Sequence, residues 1–277
     1  MKQDMDDARI MTLLACSRMY NVTPEVTGLW SALYSRIAER AETDLKVIPH
    51  AAPAPMADLW AQKGLGAVFM CGWPFSQRRP RPRIIAAPIP AATGRPEYHS
   101  VFVVRRDSPG KQLTDYFGQR FAWMSADSHS GWNAPRRHLL QFISPVRQHL
   151  FSEMVGPLVS PRAVLEAVSN HRADITAVDS WWFDLLARYQ PELVCQLRVI
   201  DRTASGPLPL LIASPDCDDE TALRLREAFT SFGQEQADKT LLQDLLLLGF
   251  TLPEAAAYDP LDDWKAQATE AGYPSIR

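Results

Sequence analysis

Long apolar runs are missing from this 277-residue chain, and so is an excess of either charge. The longest apolar stretch, around Leu245 to Phe250, falls far short of the ~20 residues that a membrane-spanning helix needs. Lys and Arg number 29 against 32 Asp and Glu, for a net charge of -3. A near-neutral chain has no general attraction for nucleic acid, so we expect none as a partner. Any anion must therefore be held by a local site.

Cysteine and glycine are scarce, and neither falls into a pattern typical of a catalytic centre. The four cysteines show no CxxC or Cys/His spacing, so the sequence predicts no metal site and no cofactor. The 13 glycines form no GxSxG elbow, Walker loop or dinucleotide pattern, which argues against a hydrolase. By contrast, 22 prolines predict stiff connections between short elements. With 46% hydrophobic and 22% charged residues, the chain has the composition of a globular protein.

The first residues do not show the pattern expected of a secretory leader. Leu13-Leu14-Ala15-Cys16 looks like a lipoprotein cleavage box, but the residues before it are acidic and the apolar run is short. We interpret Ile10 to Ser17 as a buried first strand instead. We therefore expect a cytoplasmic protein, or a periplasmic one if a leader has been removed.

Short apolar runs alternate with helical patterns along the chain, which predicts an α/β fold with parallel sheets. Thr23-Pro24-Glu25 combines a capping residue, a first-turn proline and an acidic residue, and so predicts the start of a helix. From Asp218 onward the sequence predicts almost only helix. The other predicted strands are 45–49, 67–71, 84–90, 100–105, 120–124, 173–178, 197–201 and 209–213.

The polar turn Ser128-His129-Ser130-Gly131 lies between a predicted strand and a predicted helix. Helix N-termini expose unpaired N–H groups and the positive end of the helix dipole, and glycine lets a ligand approach the backbone. The turn therefore indicates a cradle for an oxyanion, or else a simple helix cap. Asp127, Ser128 and His129 are adjacent in sequence and cannot form a catalytic relay.

Other candidate residues follow predicted strands, whose carboxyl ends face the ligand crevice of α/β folds. Asp179 can accept hydrogen bonds from a ligand or cap the following helix. Tyr20, Cys71 and Trp73 can line the crevice or simply pack. Four arginines among prolines, Arg78 to Arg83, indicate either an anion-attracting loop or a solvated connection.

The order of these features resembles the phosphonate/phosphate/phosphite branch of ABC-transporter substrate-binding proteins. The resemblance rests on the strand from Tyr98-His99-Ser100, the turn Ser128 to Gly131, the strand from Ala173 to Asp179, and Tyr258 followed by a helix ending near Pro274. It extends from about Ile10 to Pro274, and the motifs are moderately specific only in combination.

The resemblance implies a type II periplasmic-binding fold, with two Rossmann-like lobes around a central ligand cleft. One lobe would comprise residues 10–97 and 206–277, and the other residues 98–205. The protein would bind a small anion by hinge closure, without enzymatic activity, as a monomer or weak dimer that serves an ABC permease. Its ligand-binding residues would be Ser128, His129, Ser130 and Gly131 at the anion, with Tyr98, Ser100, Asp179, Tyr20, Cys71 and Trp73 around it.

One departure from the family leaves the ligand open. Phosphonate binders often carry a histidine before the helix that starts here at Ser160, but this chain has Gly156-Pro157-Leu158-Val159. Two other functions therefore stay open. One is a cytoplasmic ligand sensor on the same fold. The other is an enzyme of the thiamine-pyrimidine type, with Cys71 as nucleophile and His129 and Asp179 as its acid/base partners.

Overall fold

The structure is a computed structural model that describes residues 12–277. Its first strand is Leu13–Cys16, and the first residues of the predicted strand, Ile10 and Met11, lie outside the described part. Within the described residues, no helix is both long and apolar enough to cross a membrane.

Thirteen strands and ten α-helices, numbered in chain order, make up the described chain. The strands are β1 Leu13–Cys16, β2 Leu45–Val47, β3 Leu65–Met70, β4 Arg83–Pro90, β5 Glu97–Tyr98, β6 Ser100–Arg105, β7 Arg120–Ala122, β8 Glu153–Val155, β9 Ile175–Asp179, β10 Leu197–Arg202, β11 Gly206–Pro207, β12 Leu210–Ala213 and β13 Leu247–Thr251. The helices are α1 Pro24–Arg40, α2 Met56–Trp60, α3 Gly72–Gln77, α4 Ala134–Leu139, α5 Pro161–Ser169, α6 Ser180–Tyr189, α7 Pro191–Val194, α8 Asp219–Thr230, α9 Gln236–Asp244 and α10 Pro260–Glu270.

Two large sheets form, joined where the chain crosses between them. The six-stranded sheet has the order β13-β4-β12-β3-β1-β2, and the five-stranded sheet has the order β10-β6-β9-β7-β8. The chain passes from the first sheet to the second through β5 and returns through β11. These two short strands pair with each other, Gly206 opposite Tyr98. The lobe boundaries predicted at 97/98 and 205/206 fall on this crossing, and they stay a prediction.

The expectation of purely parallel sheets is wrong. β1 pairs in parallel with β2 and β3, and β7 with β8 and β9, as helical crossovers require. However, β12 runs antiparallel to β3 and β4, and β6 runs antiparallel to β9 and β10. The reason is the crossing itself, because a strand that arrives from the other sheet need not follow the direction that a crossover helix imposes.

The tail is not almost wholly helical as expected, because Leu247–Thr251 forms the strand β13 against β4. Helix α9 ends at Asp244, and Leu246 adopts a φ of 56°, which a continuing helix cannot accommodate. Leu247 and Phe250 are buried while Leu248 is exposed. A short run of leucines fits a helix or a strand equally well, so periodicity alone could not decide.

Capping follows the sequence closely. Thr23 accepts the backbone N–H of Val26 at 3.3 Å at the start of α1, and Ser160 accepts that of Ala163 at 3.2 Å at the start of α5. Both caps precede a proline at the first helical position, as the sequence predicts.

Hydrogen bonds and ring packing join the two halves of the molecule on both sides of the crossing. The Trp181 indole of α6 donates to the carbonyl of Leu245 at 3.0 Å, and its ring centroid lies 4.1 Å from that of Tyr20. On the other side, the Asn133 amide donates to the carbonyl of Leu261 in α10 at 2.9 Å. The C-terminal residues therefore contact both halves, although the predicted boundaries assign them to one.

Candidate functional site

A cavity of about 630 Å³ lies where strands of both sheets end. The carboxyl ends of β1, β3, β7 and β9 all face it, as expected for the ligand crevice of an α/β fold. Among the predicted site residues, the cavity wall includes Tyr20, Cys71, Ser128, Ser130 and Asp179. The other five lie behind the wall: Tyr98, Ser100, Trp73, His129 and Gly131.

The turn at Ser128 is an unusually wide helical turn that leads into α4. Residues His129–Asn133 form a π-turn closed by the N–H of Asn133 on the carbonyl of Ser128, at 3.1 Å. The Ser128 hydroxyl accepts the N–H of Gly131 at 2.9 Å. Capping is thus one role of Ser128, and its hydroxyl proton can still be donated toward the cavity. Ser130 lies on the same wall, so the two serines line one space.

Gly131 is needed for the close packing of this turn. A Cβ at this position would lie 2.2 Å from Cε of Met124 and 3.0 Å from Oγ of Ser128. The thioether end of Met124 can move, but the Ser128 hydroxyl is held by its hydrogen bond. The glycine therefore serves the geometry of the turn, while its predicted contact with ligand stays a prediction.

His129 lies behind the wall, and its ring packs against residues that do not line the cavity. The ring packs 5.2 Å from the ring centroid of Trp264 and 6.0 Å from that of Tyr98. Burial lowers the pKa of His129 to about 3, so the imidazole is neutral at physiological pH. Its backbone N–H donates to Sγ of Cys71 at 3.3 Å, across the two halves of the molecule. The side chain is therefore poorly placed to meet an anion.

Cys71 lacks the properties of a nucleophile. Burial raises the pKa of its thiol to about 12, and only 6% of the residue is exposed. The group next to its sulfur is the amide of His129 rather than the imidazole. Since a thiolate is the reactive form, this environment gives no support to the thiol-based enzyme.

Asp179 fills the capping role, one of the two that the sequence left open, while its contact with a ligand stays a prediction. Its Oδ1 accepts the N–H of Trp182 at 3.0 Å and so caps α6. Its Oδ2 accepts the hydroxyl of Tyr20 at 2.9 Å, a hydrogen bond that joins the two halves at the base of the cavity. Burial raises the pKa of Asp179 to about 7 despite these donors, because a buried carboxylate loses its hydration.

Tyr98, Ser100 and Trp73 lie just outside the cavity. The Tyr98 hydroxyl is buried, has no hydrogen-bond partner among the described residues, and lies near Cys71 and Ser130. The Ser100 hydroxyl is likewise buried and unpartnered within the described part of the chain. The Trp73 ring packs beneath Lys265, whose Nζ lies 5.9 Å from the ring centroid.

Sequence reasoning missed several polar groups on the wall. The segment Arg18 to Asn21 follows β1 and was expected to point at the crevice, but only its Tyr20 was named as a ligand residue; Asp127 precedes the Ser128 turn. His50 and Arg162 also line the cavity, but they come from a loop and a helix start that carried no signal. Within the described residues, no group of three or more His, Cys, Asp or Glu is arranged to hold a metal ion.

The four arginines between Arg78 and Arg83 are engaged in contacts with neighbouring residues. Arg81 forms an ion pair with Asp259, and Arg83 forms one with Asp219. Arg79 donates to the carbonyl of Ser76 at 2.6 Å, and the Arg78 guanidinium lies 5.1 Å from the ring centroid of Trp60. None of the four is on the cavity wall, which favours the structural connection over the anion-attracting loop.

Comparison with known proteins points to one family. Residues 21–258 match the family described as "ABC transporter, phosphonate, periplasmic substrate-binding protein". The "Phosphonates-binding periplasmic protein" of Escherichia coli is 25% identical over 159 residues, which are 56% of this chain and 46% of that protein. The match thus spans about half the length of the curated relative.

Solved structures agree in fold. A binding protein component of an ABC phosphonate transporter from Pseudomonas aeruginosa superimposes with a TM-score of 0.80 at 19% identity, over 94% of this chain and 88% of that one. PhnD1 from Prochlorococcus marinus, solved in complex with methylphosphonate, gives a TM-score of 0.78 at 18% identity, over 94% of this chain and 99% of that one. The predicted type II periplasmic-binding fold is confirmed.

Proposed function

We propose the function from one premise: this chain belongs to the family of periplasmic substrate-binding proteins of phosphonate ABC transporters. It captures a small phosphonate or related oxyanion in the cavity between its two halves. The observation that carries this proposal is the turn at Ser128, whose two serines line the cavity at the start of a helical segment. Such an arrangement supplies hydrogen-bond donors and a favourable dipole to an anion.

Hinge closure would produce the capture. The lobes would be residues 10–97 with 206–277 and residues 98–205, connected at β5 and β11. A ligand held by Ser128 and Ser130 from one side and flanked by Tyr20 and Cys71 from the other contacts both lobes, and so favours their closed arrangement. Asp179, Tyr98 and Ser100 would complete the site around it.

The histidine that phosphonate binders often carry before the helix at Ser160 is replaced here by other residues of the cavity wall. Val159 and Ser160 occupy the wall where the family often has that residue, and the Ser160 hydroxyl is engaged in capping α5. The anion would therefore depend on the Ser128 turn and on other cavity groups for its charge compensation.

The cellular role follows from the family. Its members are described as periplasmic, so the expected cytoplasmic location has no support, and we place this protein in the periplasm. A permease would be its partner, and the protein itself would be a monomer or weak dimer. The matched family and the Pseudomonas aeruginosa structure are described as binding components of phosphonate transporters, which favours this role over the sensor and the enzyme.

Titration calorimetry tests the proposal. Methylphosphonate, aminoethylphosphonate, phosphate, phosphite and sulfate are each titrated into the protein, and we expect one-to-one binding of at least one phosphonate. Ser128→Ala combined with Ser130→Ala should weaken that binding by about tenfold or more, because hydrogen bonds to charged groups contribute about 1.5–3 kcal/mol.

Ser231→Ala is the matched control. It removes a serine hydroxyl that donates to the carbonyl of Glu227 at 2.6 Å at the end of α8, outside the cavity wall, and should leave the affinity unchanged. A folded protein that binds none of these oxyanions would refute the proposed function.

A further inference from the structure

The cavity is much larger than a small phosphonate requires. Its volume of about 630 Å³ lies within the roughly 300–1,000 Å³ of pockets that bury drug-sized ligands, whereas methylphosphonate has only a few non-hydrogen atoms. Away from the Ser128 turn, the wall continues over the loop between β2 and α2. Apolar side chains dominate this end, namely Ile48, Pro49, Met56 and Trp60. The space therefore suits a ligand with an extended organic substituent.

Arg18 places a positive charge at this end of the cavity. Its guanidinium is half-buried and donates to the carbonyl of Ala54 in the same loop. Burial lowers the pKa of Arg18, and the charge of Asp127 opposes that effect only in part. Among the described residues Arg18 forms no ion pair, unlike Arg81 and Arg83 on the neighbouring segment.

The surrounding charges leave this region positive. Arg78 lies close behind, over the ring of Trp60, and the exposed Asp127 faces both guanidinium groups. The single exposed carboxylate of Asp127 therefore compensates only part of the positive charge of Arg18 and Arg78. The other cation on the wall, Arg162, is engaged with the carbonyl of Val22 at 2.7 Å and with Glu166 at 3.7 Å.

The remaining titratable groups of the cavity are engaged as well. Asp179 accepts the Tyr20 hydroxyl and the Trp182 amide, and Nε2 of His50 lies 2.8 Å from the carbonyl of Pro55. Arg18 is thus the cavity cation with the largest unused capacity for an anion, since a guanidinium has five N–H donors and a carbonyl takes few of them.

We propose that Arg18 forms a second anion subsite, and that the ligand is a phosphonate whose organic substituent ends in a carboxylate. This inference rests on the proposed function, because the phosphonate group is taken to sit at the Ser128 turn. The two subsites come from opposite lobes. A ligand with two anionic ends would bridge them and favour closure more strongly than methylphosphonate. The apolar loop would cover the carbon chain between the two ends.

The test compares 3-phosphonopropionate with propylphosphonate, which has a similar length and no carboxylate. Calorimetry should show that the carboxylated ligand binds about tenfold or more tightly, as expected for a charge-assisted hydrogen bond in a half-buried site. Arg18→Gln should bring the ratio of the two dissociation constants close to one. Arg18→Lys should retain part of the preference, because it keeps the charge without the planar fork.

Arg83→Gln serves as the control, since it removes an arginine whose partner, Asp219, lies outside the cavity. It should leave the ratio as in the wild type, and thermal unfolding should show that each variant is folded. Equal affinity of the wild type for both ligands overturns the second subsite and leaves the proposed function standing. A ratio that survives in Arg18→Gln also overturns it. Failure of both ligands to bind while methylphosphonate or another oxyanion of the first panel still binds overturns the inference alone. Failure of every oxyanion overturns the proposed function together with the inference.

Discussion

Asp179 shows how one residue can both cap a helix and join the two halves of the molecule. It lies at the end of β9, caps α6 and accepts the Tyr20 hydroxyl from the other half of the molecule. Burial raises its pKa to about 7, well above the ~3.9 of a free aspartic acid. The folded protein therefore holds a proton on this carboxyl in a pH range where the unfolded chain has released it.

This shift predicts a pH dependence of stability. Between about pH 4 and pH 7 the native state binds more protons than the unfolded state at this site, so the free energy of unfolding falls as pH rises through that range. Asp179→Asn carries no titrating group and can still cap α6. We expect the melting temperature of the variant, relative to the wild type, to increase from pH 5 to pH 8. A difference that is constant over this range would contradict the raised pKa.

The π-turn at residues His129–Asn133 is the element on which the proposed anion site depends. It brings the amide of Gly131 onto the Ser128 hydroxyl and that of His129 onto the sulfur of Cys71. The turn is packed against Met124, so its shape is fixed by neighbours from the same lobe and across the cleft.

Gly131→Ala should therefore disturb binding more than folding. The added Cβ would lie 3.0 Å from Oγ of Ser128 and force the hydroxyl out of position, while the flexible end of Met124 gives way. We expect at least a severalfold loss of phosphonate affinity with a melting temperature lowered by only a few degrees, since overpacking costs about 1–3 kcal/mol. Gly28→Ala in α1 is the control, because its added Cβ would meet no atom within 4 Å and should leave the affinity unchanged. Gly94→Ala would be a poor control, because Gly94 has a positive φ that alanine adopts only with strain. Unchanged affinity in Gly131→Ala would show that phosphonate binding does not depend on the shape of this turn.

At the scale of the whole molecule, the two halves are coupled by more than the hinge. The Trp181 indole, the Tyr20 hydroxyl and the Asn133 amide each make a hydrogen bond from one half to the other. Helix α10 packs against both α3 and α4. These contacts join the hydrophobic interiors of the two sheets.

Unfolding should accordingly be a single transition, and ligand should shift it as a whole. A phosphonate at one hundred times its dissociation constant stabilises the native state by about 2.7 kcal/mol, which corresponds to a rise of roughly 5 °C in melting temperature. Differential scanning calorimetry with and without ligand measures both properties. Two transitions, of which ligand moves only one, would show that the halves unfold independently.

The sequence determined those parts of the protein that depend on neighbouring residues. Caps such as Thr23 and Ser160, the apolar strand β3 and the turn at Ser128 were all predictable, because capping and burial act over a few residues. The order of these features also predicted the family, which the comparisons confirm.

Only the tertiary structure decided the direction of strands at the crossing, the conversion of Leu247–Thr251 into a strand, and the orientation of side chains around the cavity. The place of Arg18 after β1 already pointed to the crevice, but its hydrogen bond to the β2–α2 loop comes from the tertiary structure. His129 turns its ring toward Trp264. Both contacts join residues more than 30 positions apart in sequence, which no local pattern encodes.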